Sequence, residues 1–174
     1  MGHKSYTACV ADNTPPPAAA LRRLTADALI EIFNPGPASG EQVSVGGSRT
    51  YPELQAVERE VASYPPGTVI LTGDTFGVDA AARQAALRHG LELRVYHPRF
   101  ENHPTRTAAY FARNRQIIAD ASRLVSFWDG VSVGTSQAID CARSCGVPVS
   151  VRRPPAGLGA PGQPIGHAQH DPPC

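Results

Sequence analysis

No apolar run in the chain approaches the roughly 20 residues that span a bilayer. Residues 1–13 also lack the apolar core of a secretion signal. A cytoplasmic protein with no membrane partner is expected. Charge of one sign is equally scarce. The formal net charge is +1 and the sequence pI about 7.8, so no global field draws the chain to a polyanion. On that ground nucleic acid is not expected as a partner. The four cysteines, Cys9, Cys141, Cys145 and Cys174, do not make a disulfide framework. Cys141 and Cys145 are four apart on an expected helix and read as a small apolar patch against a sheet. Zinc-ligand spacing, a G-x-S-x-G elbow, a nucleophilic Cys–His signature, a Walker A lysine and the dinucleotide fingerprint G-x-G-x-x-G are all missing. No repeat runs at a solenoid period.

Three glycine-bearing turns are present, each following a β-rich apolar run. Gly46-Gly47-Ser48-Arg49 follows Val43-Ser44-Val45, and Thr72-Gly73-Asp74-Thr75-Phe76-Gly77-Val78-Asp79 follows Val69-Ile70-Leu71. Asp129-Gly130-Val131-Ser132-Val133-Gly134-Thr135 follows Leu124-Val125-Ser126-Phe127-Trp128. Each turn leads into helical periodicity. Strands are expected over 42–46, 68–72, 92–96, 123–128 and 147–151, and helices over 52–63, 77–90, 105–120 and 134–145. Strict alternation of this kind predicts an α/β fold: a Rossmann-like three-layer sandwich around a mainly parallel five-stranded sheet. Residues 1–40 read as an extension, with a Pro15-Pro16-Pro17 linker and one helix over 19–33, carried by Leu21, Leu24, Leu29, Ile30 and Phe33. That helix offers a route to a homodimer. Residues 41–151 form the core domain. Residues 152–174, rich in Pro and Gly, read as a disordered tail in which His167 and His170 are solvated.

In an open parallel sheet, strand C-termini and helix N-termini converge on one crevice. Glycine permits close approach of the backbone, and free N–H groups at helix starts attract anions. Backbone amides around Gly46, Gly47, Ser48, Gly130, Ser132, Gly134 and Thr135 are therefore expected to hold a phosphate. Arg49 and Arg113 supply the charge. Gly73, Asp74 and Gly77 shape the second turn, with Asp79 near the positive end of a helix dipole. Asp79 and Asn114 are placed against a ribose or base, and Asp129 at the third turn. His97 follows the third core strand and reads as structural or ligand-contacting. Trp128 is read either as a base-stacking ring or as a core residue. No metal site is expected. No cofactor is assigned beyond a nucleotide-like phosphate ligand.

Taken together, Gly47-Ser48-Arg49, Gly73-Asp74-Thr75-Phe76-Gly77-Val78-Asp79, Arg113-Asn114, Ala119-Asp120, Trp128-Asp129-Gly130 and Gly134-Thr135 resemble the SLOG superfamily over residues 42–151, in its YspA/YpsA-related branch. Relatives in that superfamily include LOG phosphoribohydrolases, molybdenum-cofactor carrier proteins and the DNA-uptake protein DprA. The resemblance implies a nucleotide-derived ligand at the strand C-termini, bound or sensed. It also implies two alternatives, nucleotide N-glycosidic cleavage and DprA-like DNA binding. The catalytic Glu that LOG enzymes carry three residues after the loop Thr is Ala138 here. Asp129 or Asp140 would then have to substitute for it, and a hydrolase would use Asp129 or Asp79 as acid or base.

Overall fold

The computed structural model describes residues 21–36 and 40–155. The Pro15-Pro16-Pro17 segment, Cys9, Cys174, His167 and His170 lie outside the described residues. Seven strands form one sheet: β1 (Leu21–Leu24), β2 (Ala28–Phe33), β3 (Gln42–Gly47), β4 (Val69–Gly73), β5 (Glu92–Pro98), β6 (Arg123–Phe127) and β7 (Val149–Arg152). Their order is β1-β2-β5-β4-β3-β6-β7. The five strands from β5 to β7 pair in parallel, while β1 and β2 pair antiparallel. The helices are α1 (Leu54–Ala62), α2 (Val78–Arg88), α3 (Arg106–Asp120) and α4 (Val133–Ser144). Among the described residues no helix is long and apolar enough to cross a membrane.

Strand alternation assigns the two faces. Val43, Val45, Ile70, Val95, Val125 and Phe127 point to one side and pack on Val57 and Val61 of α1 and on Val78, Ala82, Ala85 and Ala86 of α2. On the other side Leu71 meets Ile117 of α3, and Leu124 meets Ile118 of α3 and Ile139 and Ala142 of α4. Helices thus cover both faces. The chain departs from β3 in one direction to β4 and β5, then crosses over through α3 to β6 and β7. That reversal beside β3 opens a crevice at the strand C-termini, the usual place for a ligand in such sheets.

The helix expected over 19–33 is not formed over its described part. Residues 21–33 make the β1–β2 hairpin, which extends the sheet from five strands to seven. Thr25 closes its turn: the Thr25 hydroxyl donates to Ala28 O and accepts from Ala28 N, both at 2.9 Å. Ala28 and Ile30 are fully buried against Tyr96 and Ile117, so the period that decides this segment is two, not 3.6. The dimer route expected through that helix loses its basis. Arg152 closes β7, and Arg153 packs over the Trp128 ring at 4.0 Å, so the chain is ordered past the expected start of the tail. Cys141 packs at the edge of the α3–α4 cluster, whereas Cys145 caps α4 and is exposed. The cysteines therefore do not form a joint patch.

Candidate functional site

The crevice encloses about 300 Å³ between the C-terminal ends of β3, β4 and β6 and the helices α3 and α4. Gly46, Gly47, Arg49, Gly73, Asp79, Arg113, Asn114, Ser132, Gly134 and Thr135 all line it. Small residues make the space. A Cβ at Gly73 would run into the Arg113 guanidinium and the Asp79 carboxylate. Gly77 has φ of 74°, and a side chain there would strike the main chain of Arg49, so this glycine lets the second turn dock on the first. No side chain caps the N-terminus of α4, which leaves first-turn amides beside Gly134 and Thr135 at the crevice wall.

Arg113 differs from its expected role. It is 4% exposed, with Nη2 3.5 Å from Asp74 Oδ1 and Nη1 3.6 Å from Asp79 Oδ2. Two carboxylates therefore neutralise it, and it serves to position them more than to offer charge. Thr75 Oγ1 donates to Asp79 Oδ2 at 2.7 Å, and Arg83 Nη1 donates to the carbonyls of Gly73 and Thr75. The chain of charges continues away from the crevice. His97 Nδ1 lies 3.5 Å from Asp74 Oδ2, and its Nε2 lies 3.1 Å from Glu31 Oε2 on β2. Burial alone would raise the Asp74 pKa. The His97 hydrogen bond and the Arg113 charge outweigh it and hold the carboxyl below its ordinary value.

Several expected contacts lie elsewhere. His97 shares its sheet face with Val95, away from α3, because side chains alternate along β5; it braces the β1–β2 hairpin instead. Asp74 sits behind Arg113. Ser48 is fully buried and joins the first turn to the third: its Oγ accepts from Asp129 N at 3.1 Å and lies 3.4 Å from Thr135 Oγ1. Asp129 is occupied in shaping its own loop. Its Oδ1 accepts from Val131 N and Ser132 N, and its Oδ2 accepts from Thr50 Oγ1. Burial would raise its pKa, and these hydrogen bonds together lower it. A carboxylate so engaged is poorly placed as an acid or base, and neither Asp129 nor Gly130 reaches the crevice. Trp128 donates from Nε1 to Ser132 O at 3.2 Å beneath Arg153, also outside it. Asn114 lines the wall while its Nδ2 reaches Gln137 Oε1 at 3.3 Å.

Arg49 is the exposed cation of the site. It has no carboxylate partner among the described residues, and its Cζ stands 5.4 Å from the centroid of Phe76, itself 63% exposed. Val131 and Val133 are also exposed on the third turn. Sequence reasoning missed the interior of the crevice: Ser44, Ser126, Leu124, Ile117, Ile118 and Ala138, with Thr107, Tyr110 and Phe111 along α3. A signal existed for two of them, since Ser44 and Ser126 are hydroxyl residues inside otherwise apolar strands.

No family model matches the chain, and no curated protein matches it. Two solved structures share its fold. One is DNA processing protein A (DprA) from Streptococcus pneumoniae, with a TM-score of 0.57 and 20% identity. That alignment covers 71% of this chain and 54% of the other, so the chain spans about half the length of that structure. The second is DNA processing protein A from Helicobacter pylori, described for its single-stranded DNA binding mode. Its TM-score is 0.53 and its identity 18%, over 81% of this chain and 83% of the other. The fold is thus a DprA-like Rossmann fold. The matches bear on the DprA side of the SLOG resemblance and not on its YspA-related or LOG sides. They also correct the expectation about partners. The H. pylori structure, which shares this fold, is described for a single-stranded DNA binding mode, so nucleic acid is not set aside as a partner. Local charge and stacking surface decide such binding.

Proposed function

We propose that the protein binds single-stranded DNA, with one nucleotide seated in the crevice. The observation that carries this reading is the exposed pair of Arg49 and Phe76 on its rim. A guanidinium with no carboxylate partner is available to a backbone phosphate, and the exposed ring offers a surface on which a base can stack. The uncapped start of α4 adds amide donors for the same phosphate. The fold shared with the H. pylori protein supports the polymer as the ligand. A free nucleotide is the second reading, favoured by the crevice volume of about 300 Å³, at the small end of ligand pockets.

Fluorescence anisotropy with a labelled oligothymidylate tests the first reading. Binding should weaken with salt, and Arg49→Ala should lower affinity about five- to tenfold and reduce the log–log salt slope by about 0.7, one phosphate contact on a single strand. Binding that ignores both salt and Arg49 would refute it. Competition by deoxythymidine monophosphate separates the readings. A monophosphate that binds as tightly as the strand favours the free nucleotide.

A further inference from the structure

A second groove opens on the other face of the sheet from α3 and α4, between α1 and the end of β7. It encloses about 390 Å³ and shares no lining residue with the crevice. On its floor the rings of Tyr51 and Phe127 meet edge to face at 5.4 Å. Charges along its sides compensate one another. Arg59 Nη2 donates to Glu53 Oε1 at 2.8 Å, and Arg152 Nη2 lies 3.2 Å from Glu60 Oε2. Two groups are left over. Arg153 is exposed, has no carboxylate partner among the described residues, and stands 4.0 Å from the centroid of the Trp128 ring, which steadies its planar fork. Tyr51 is only 4% exposed, yet its hydroxyl has no hydrogen-bond partner among the described residues. A buried hydroxyl is ordinarily paired. Burial and the Glu53 charge raise its pKa against the pull of Arg152, so the hydroxyl keeps its proton at neutral pH and is a donor.

We infer that this groove is a second anion site, separate from the crevice, in which the Tyr51 hydroxyl and the Arg153 guanidinium hold a phosphate group. The two ion pairs cancel, so the groove keeps one uncompensated positive charge and favours a negative guest. Its donors come from two separate segments, one ahead of α1 and one beyond β7, with spare N–H groups of Arg152 beside them. That spread suits the oxygens of a tetrahedral phosphate better than a planar carboxylate. Phe127 and Ala56 add an apolar floor for a flat organic body on the phosphate. A small phosphate ester and one phosphate along a strand present the same chemistry here. The inference does not depend on what the crevice holds. Arg49 lines the crevice and Tyr51, two positions on, lines the groove, so the first turn divides the two sites.

The test titrates the full chain with phenyl phosphate and reads the fluorescence of Trp128, the chain's single tryptophan, which lies against Arg153. The wild type should give a saturable change, with benzoate binding severalfold more weakly. Tyr51→Phe should weaken phenyl phosphate about tenfold, the worth of one hydrogen bond to a charged group. Its melting temperature should be unchanged, because the hydroxyl it removes holds nothing in the free protein. Arg153→Gln should weaken binding further, since it removes both the charge and the fork. Arg49→Ala should leave the titration as it is. Oligothymidylate identifies the source of the phosphate. A log–log salt slope about 0.7 smaller in Arg153→Gln than in the wild type assigns it to a strand, and an unaltered slope assigns it to a small free ester; both results keep the site. A titration abolished by Arg49→Ala and untouched by Tyr51→Phe and Arg153→Gln would place the anion in the crevice and overturn the groove. Absence of any saturable change would overturn it too, and equal affinity for benzoate would overturn the assignment to phosphate. Loss of the groove leaves the strand reading standing, since that reading turns on Arg49.

Discussion

Gly73 and Arg113 show how closely single residues set this site. Gly73→Ala places a methyl group against a guanidinium and a carboxylate that cannot move apart without breaking their pairing. It should cost about 1–3 kcal/mol in urea unfolding and reduce ligand binding with it. Arg113→Met leaves Asp74 and Asp79 buried without the cation between them. The loss should be about 3–5 kcal/mol at pH 7. It should be smaller near pH 5, because removing the cation raises the Asp74 pKa and protonation of that carboxyl then relieves the repulsion. The glycine and the arginine were both visible in sequence, but their pairing was not. Arg113 read as a free cation because its two carboxylates lie more than 30 positions earlier in the chain.

At the level of elements, the β/α alternation from β3 to β7 was legible. Its strands are short apolar runs, its helices are amphipathic, and glycine turns separate them, all of which are local properties. The β1–β2 segment was misread for a definite reason. Leu21, Leu24, Leu29, Ile30 and Phe33 happen to fall near helical spacing, while the pairing of Ile30 with Tyr96 on β5 is long-range. Ile30→Ala tests the hairpin as part of the core. Ile30 is fully buried, so the substitution should destabilise the whole protein by about 2–4 kcal/mol in a single cooperative transition. An early separate transition, or a change within about 0.5 kcal/mol, would show the hairpin to be an appendage.

Across the whole molecule, ionisation ties stability to pH. Asp74 and Asp129 both have folded pKa values below the ordinary carboxylate range. Such groups contribute stability that is complete above the unfolded pKa, about 3.9, and lost as pH falls through the folded value. The urea midpoint should therefore be level between about pH 6 and pH 8 and decline below about pH 4. Asp129→Asn should lower the plateau and flatten the acid limb, since the carboxylate that holds the third turn no longer titrates. A midpoint unchanged down to pH 3 would contradict the assigned shifts.

By itself the sequence determined the order of strands and helices in the core and the three turns that meet at the crevice, because strand propensity, helical period and glycine's backbone freedom act over a few residues. Only the tertiary structure decided the hairpin at the sheet edge, the neutralisation of Arg113, the isolation of Arg49 beside Phe76 and the placing of Ser44 and Ser126 inside the crevice. Each depends on register or charge pairing between segments far apart in the chain, and no local pattern encodes which partners will be brought within reach.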